Sequence, residues 1–127
     1  RLPLLARKIG SIQSSYTHGV NKQEYRTGSL FLQKSKAKLI ETNNYALTCI
    51  HYIHQNPMRA KLVKKMEDWK YSSFHAYLND DNSICNLVLA KNLMNFPSDS
   101  QTFYKESYEI IREDNIKNYF EQRRPTA

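Results

Sequence analysis

At 127 residues and a formal charge of +7, the chain is long enough to bury a core as one domain, and it is markedly basic. A hydrophobic content of 40% excludes a disordered chain, and no apolar run approaches the length of a membrane span. No signal-peptide pattern opens it, and the two isolated cysteines, Cys49 and Cys85, exclude a disulfide framework, so reduced thiols and a cytoplasmic location are expected.

The first residue is Arg1 and the first methionine is Met58. The expectation is a trimmed, processed or fragmentary product, with further site residues upstream. The charge is unevenly spread. Through Lys70, thirteen Lys and Arg face four Asp and Glu, a formal +9; from Tyr71 onward, six face eight, a formal −2. One half is therefore suited to a polyanion, although a solvated basic surface has the same composition.

Residues 3 to about 20 read as an amphipathic helix, with Leu5, Ile9, Ile12, Tyr16 and Val20 on one face and Pro3 in the first turn. Tyr16 continues the stripe and is expected to pack in the core. Asn21 to Gly28 is a turn region, reversing at Thr27-Gly28. Ser29-Leu30-Phe31-Leu32-Gln33 reads as a strand, one arm of a small β-hairpin near residues 29–40. Lys34, Lys36 and Lys38 alternate along it. In an extended chain their ammonium groups stand roughly 6–7 Å apart, close to the phosphate repeat of a nucleic-acid strand. An edge strand kept soluble by lysines has the same pattern.

Thr42 or Asn43 caps a helix from Asn44 to about Gln55, with Ala46, Leu47, Ile50 and Ile53 as its apolar stripe. Cys49, Tyr52 and Asn56 form a neighbouring stripe. Tyr52 therefore sits at the border of the buried face, able to pack its ring and expose its hydroxyl. Pro57 is expected to end this helix and begin a short second one, capped by Asn56. His51 and His54 could be metal ligands, but a pair without a carboxylate more often faces solvent.

Residues 66–73 read as an ordered connector pinned by Trp69 and Tyr71, and Ser72 or Ser73 caps a helix through Leu78. The polar run Asn79-Asp80-Asp81-Asn82 is the best boundary, dividing 1–79 from a helical extension, 80–127. Within that extension, Ile84 to Leu93 forms a short apolar helix. A final helix runs from about Asp99 to Phe120, with Ser98 and Gln101 at capping-box spacing.

The block Tyr52-Ile53-His54-Gln55-Asn56-Pro57-Met58-Arg59-Ala60-Lys61-Leu62-Val63, followed by Glu67-Asp68-Trp69-Lys70-Tyr71-Ser72-Ser73 and Tyr77, resembles the REP-associated tyrosine transposases. These are single-tyrosine members of the HUH nucleases. Ser15-Tyr16-Thr17 through Asn21 and Gly28-Ser29-Leu30-Phe31 are similar to that family in order and spacing, so the resemblance spans roughly residues 4 to 78. It implies the mainly helical remainder of an α+β (ferredoxin-like) fold whose sheet lies upstream.

The resemblance also implies chemistry. Tyr52 would be the nucleophile, nicking and rejoining single-stranded or hairpin DNA through a 5′-phosphotyrosine. Asn56 would be a metal-side ligand, with Mg2+ or Mn2+ held chiefly by a His-hydrophobic-His pair. Arg26, Lys34, Lys36, Lys38, Arg59, Lys61, Lys64 and Lys65 would bind DNA. Relatives can form dimers in which one protomer's tyrosine helix serves the other's metal site, so the resemblance allows a homodimer.

The chain departs from the family pattern at three places. Its four histidines, His18, His51, His54 and His75, include no such His-x-His pair. This chain alone is therefore expected to be inactive and to hold no ion. Ser35 stands where the family usually has an aromatic, and Lys61 where it usually has glycine. The alternatives are a non-catalytic DNA-binding remnant or regulator, and a helical protein whose basic face meets RNA or an acidic partner.

Overall fold

A computed structural model describes residues 2–33, 35, 37 and 39–109. All regular structure among them is helical: α1 (Leu2–Gln23), α2 (Asn43–Arg59), a 3-10 turn (Met66–Asp68), α3 (Phe74–Asn79), α4 (Leu87–Leu93) and α5 (Ser100–Ser107). The chain divides into two compact units, residues 1–38 and 39–127. No helix among the described residues is long and apolar enough to cross a membrane.

In the first unit α1 runs slightly beyond both expected ends, and Asn21 Nδ2 donates to the Gly28 carbonyl at 2.9 Å to close the turn that follows. Gly28 has φ +95°, a conformation that an L side chain resists, so glycine is required at this reversal. The expected hairpin does not form. Residues 29–33 are irregular, and no strand occurs among the described residues. The mainly helical expectation holds; the hairpin and the α+β (ferredoxin-like) arrangement do not. The physical reason is local. Ser29 Oγ accepts from the Phe31 N–H and donates to the Phe31 carbonyl, taking groups that a ladder would need, and no described strand offers a partner. Tyr16 is 61% exposed rather than buried, with its ring 6.5 Å from that of Phe31. Leu5 and Ile12, on the same stripe, are exposed as well.

The second unit holds a core of Met66, Phe74, Tyr77, Leu87, Met94 and Phe103. Phe103 is fully buried and lies against the rings of Phe96 at 4.8 Å, His51 at 5.2 Å, and Phe74 and Tyr77 both at 6.0 Å. Burying each phenyl group contributes about 1.5–3 kcal/mol. Met66, rather than Trp69 and Tyr71, pins the connector: Tyr71 is exposed and Trp69 half-buried, their rings 5.5 Å apart.

Caps define the helix starts. Thr42 Oγ1 accepts from Tyr45 N at 3.2 Å, Asn86 Oδ1 from Leu89 N at 3.0 Å, and Asp99 Oδ1 from Thr102 N at 2.8 Å. The last makes Asp99, one residue beyond Ser98, the cap of α5. Helix α4 begins at Leu87, three residues after the expected Ile84, because Asn86 captures its first turn. Helix α5 ends at Ser107, and Tyr108 and Glu109 leave it, whereas the expected helix runs on to Phe120; its part from 110 lies outside the described residues.

Helix α2 does not stop before Pro57. It continues to Arg59, because a proline three positions from the end removes one donor only. Closure comes next: Leu62 N–H donates to the Pro57 carbonyl at 2.9 Å and Lys61 N–H to that of Met58 at 3.0 Å. This pair of bonds is a Schellman motif, and it needs a left-handed residue, which Lys61 supplies at φ +60°. The turn that glycine would favour thus forms here with lysine.

Candidate functional site on the tyrosine helix

Helix α2 presents two faces with different tasks. Its inward face carries His51, His54 and Gln55, all buried, while Ile53 is 58% exposed. The histidines therefore face the core, not solvent, and the apolar stripe assigned to Ile53 is rotated. Leu47, His51, His54, Gln55 and Met58 follow the spacing of one buried helix face.

His51 Nδ1 lies 2.9 Å from Ser107 Oγ, and the Ser107 hydroxyl donates to the Phe103 carbonyl at 2.7 Å. A carbonyl only accepts, so the one hydroxyl proton is committed and His51 Nδ1 carries the proton between them. Its Nε2 is buried without a hydrogen-bond partner, 3.9 Å from the Glu106 carboxylate. His54 Nε2 lies 2.9 Å from Ser73 Oγ, which explains why Ser73 at the α3 cap position gives no side-chain cap. The ring of His54 sits edge-on to Phe74 and Tyr77, each at 5.6 Å. Burial lowers the His51 imidazole below its ordinary range. For His54, burial and then the charge of His51 bring it down to about 4. Both are neutral core residues at physiological pH.

Gln55 completes this face. Its Nε2 donates to the carbonyls of Ser107 and Glu109, each at 2.8 Å, capping the end of α5 from another helix. A second polar cluster ties the connector to α5. Tyr108 Oη accepts from Met66 N–H at 3.1 Å and donates to Glu67 Oε2. Burial works to raise the Glu67 carboxyl, but hydrogen bonds from Tyr104 and Tyr108 hold it below its usual range. Burial, then Glu67, pushes the Tyr108 phenol up. His75 Nε2 donates to the Glu67 carbonyl at 2.8 Å. These groups brace the fold.

The outward face carries the residues singled out by the motif. Tyr52 is half-buried, Asn56 follows one turn later and is exposed, and the Arg59 guanidinium lies 5.2 Å from the centre of the Tyr52 ring. A cation over a phenol face is attracted by the ring quadrupole. Asn56 lies inside the helix rather than capping a new one. Lys61, Lys64 and Lys65 are exposed just beyond the helix end. Arg26 belongs to the first unit, where it is half-buried with its backbone N–H bonded to the Asn21 carbonyl at 3.0 Å. Lys34, Lys36 and Lys38 lie outside the described residues.

The residues present do not fit the divalent ion that the resemblance implies. Among the described residues no group of three His, Cys, Asp or Glu side chains could hold a metal ion. His51 and His54 are turned into the aromatic core, and Asn56 offers a single carboxamide oxygen.

The motif singles out Tyr52, Asn56 and Arg59, which the structure places on one helix face; Gln55 and Ser107 carry no such signal, and both histidines are buried rather than exposed. The available signal was spacing: with histidine counted as an aromatic, positions 47, 51, 54 and 58 form one stripe, buried at His51 and His54 and partly buried at Leu47 and Met58.

This geometry places a phenol, a carboxamide and a guanidinium on one helix face, beside a cationic segment. The chain is similar to a Haemophilus influenzae protein whose name assigns it to the REP-associated tyrosine transposases, with 33% identity over 55 residues. The match covers 43% of this chain and spans about a third of that relative, 31% of its length. It agrees with the family resemblance carried by the motif block. No family model and no solved structure matches the chain.

Proposed function

We propose that Tyr52 is the nucleophile of a single-tyrosine transposase reaction on single-stranded or hairpin DNA. Tyr52 Oη attacks a backbone phosphorus. The Tyr–O–P bond forms as the P–O3′ bond breaks, leaving the 5′-phosphate on Tyr52, and the phenolic proton ends on the released 3′ oxygen. Attack by a 3′-hydroxyl on the phosphotyrosine reverses these changes and rejoins a strand. A phenol titrates near 10 and is a weak nucleophile when neutral, so it needs neighbouring groups that favour developing negative charge.

The observation that carries this reading is the Arg59 guanidinium 5.2 Å from the Tyr52 ring, within a motif block that resembles the transposases. Asn56 can donate a hydrogen bond from the same face, and Lys61, Lys64 and Lys65 supply counter-charge for the backbone. Arg26, Lys34, Lys36 and Lys38 belong to the same proposal as a further DNA contact. The test is formation of a DNA–protein adduct that survives denaturation and maps to Tyr52.

A second reading is a DNA-binding protein without strand cleavage. The lack of a three-ligand metal group among the described residues favours it. It predicts salt-sensitive binding to single-stranded DNA with no adduct under any divalent cation.

A further inference from the structure

We infer that Arg59 grips the one backbone phosphate that Tyr52 addresses, and that the Tyr52 ring serves as the platform aiming the guanidinium. This rests on the reading of Tyr52 as a residue that meets DNA.

Tyr52 and Arg59 are seven residues apart, two helical turns, so they share a face of α2. The guanidinium stands 5.2 Å from the ring centre, which fixes it near the phenol. Arg is suited to phosphate because its planar fork donates two parallel hydrogen bonds.

Position argues against an anion at first sight, because a helix C-terminus presents unpaired carbonyls and the negative end of the helix dipole. Helix α2 removes much of that obstacle. The carbonyls of Asn56, Pro57 and Met58 accept from Ala60, Leu62 and Lys61 N–H groups at 2.9, 2.9 and 3.0 Å. The same closure turns the chain through Lys61 in the left-handed conformation, and Lys61, Lys64 and Lys65 follow, all exposed. The last carbonyls of the tyrosine helix are thus largely paired within the chain, and three exposed lysines follow its end. Arg59 is the cation held against an aromatic face within it.

The ring's part is separable from the hydroxyl's. Tyr52→Phe keeps the aromatic face and loses the nucleophile; Tyr52→Leu loses both.

The experiment is phosphate interference on binding, with no cleavage required. The tightest-binding single strand is selected from a random pool. It is then resynthesised as a series, each member with one backbone phosphate neutralised as a methylphosphonate. The unmodified chain is expected to lose affinity about tenfold at one dominant position, the loss of one charge-assisted contact. Arg59→Gln abolishes that positional effect and lowers the salt-dependence slope by about 0.7, one phosphate on a single strand. Tyr52→Phe behaves as the unmodified chain, and Tyr52→Leu as Arg59→Gln. Lys105→Gln, on α5, leaves the positional effect in place and controls for net charge. Thermal unfolding of each variant confirms folding.

If the dominant position persists in Arg59→Gln, or no position dominates in the unmodified chain, the inference about Arg59 is overturned while Tyr52 keeps its role. If the unmodified chain binds no single strand at low salt, the reading of Tyr52 fails with it.

Discussion

Gln55 donates through its side-chain Nε2 to the backbone carbonyl of Ser107 at 2.8 Å, joining two helices across 52 residues of sequence. The same nitrogen reaches the Glu109 carbonyl, also at 2.8 Å. One buried amide on the tyrosine helix therefore terminates α5. Gln55→Ala is expected to leave both carbonyls without this donor and to cost about 2–3 kcal/mol. Urea unfolding monitored by circular dichroism measures it. Gln55→Glu should cost at least as much, because a carboxylate would face two carbonyl oxygens.

His54 and His51 make stability depend on acid. In the folded chain His54 titrates at about 4, against 6.5 when exposed. Between those values the unfolded chain binds the proton and the folded chain does not, so stability rises with pH. The contribution is fully present above 6.5 and is lost as pH falls toward 4, amounting to about 3 kcal/mol for His54. His51 adds a shift in the same direction, caused by its burial. Melting temperature measured from pH 7.5 down to 4.5 (roughly the window set by these groups) should fall. His54→Phe should flatten that dependence.

Lys61 holds a left-handed turn at φ +60° without being glycine. Lys61→Gly should raise stability by about 0.5–1 kcal/mol, because the Schellman closure remains and the steric cost of a Cβ disappears. Lys61→Val should lower it by about 1–2 kcal/mol, since a β-branched side chain resists that conformation most. Chemical denaturation of the two variants, compared with the parent chain, measures both.

Much of the helical order was legible in the residues. The stripe of Leu5, Ile9, Ile12 and Val20 located α1, and Thr42 located the start of α2, because capping and periodicity act within a few residues. Where the reading went astray, longer-range contacts decided. Residues 29–33 have strand-forming side chains, yet a strand exists only with a partner, and the Ser29 hydroxyl takes the Phe31 backbone groups instead. Histidine spacing alone suggests a solvent-facing pair, yet Ser107 and Ser73, 56 and 19 residues away, satisfy one nitrogen of each and let the rings join the core. Pro57 was read as a stop, but the Schellman bonds beyond it allow the helix to finish around it. On the site, the Tyr52–Asn56 spacing was visible in the sequence. The Arg59 contact needed the true length of α2, which a stop at Gln55 would have excluded.

The central claim is that Tyr52 attacks DNA. The most direct measurement uses a random-sequence single-stranded pool with one 3′-bridging phosphorothiolate per strand, whose sulfur leaves readily once the phosphorus is attacked, so that a chain without the metal ligands can still form the adduct. The chain is incubated with the labelled pool, denatured, digested and examined by mass spectrometry. The expected result is a 5′-phosphate adduct on the peptide containing Tyr52, absent in Tyr52→Phe. An adduct that persists in Tyr52→Phe, or tight binding to the pool with no adduct, would contradict the claim.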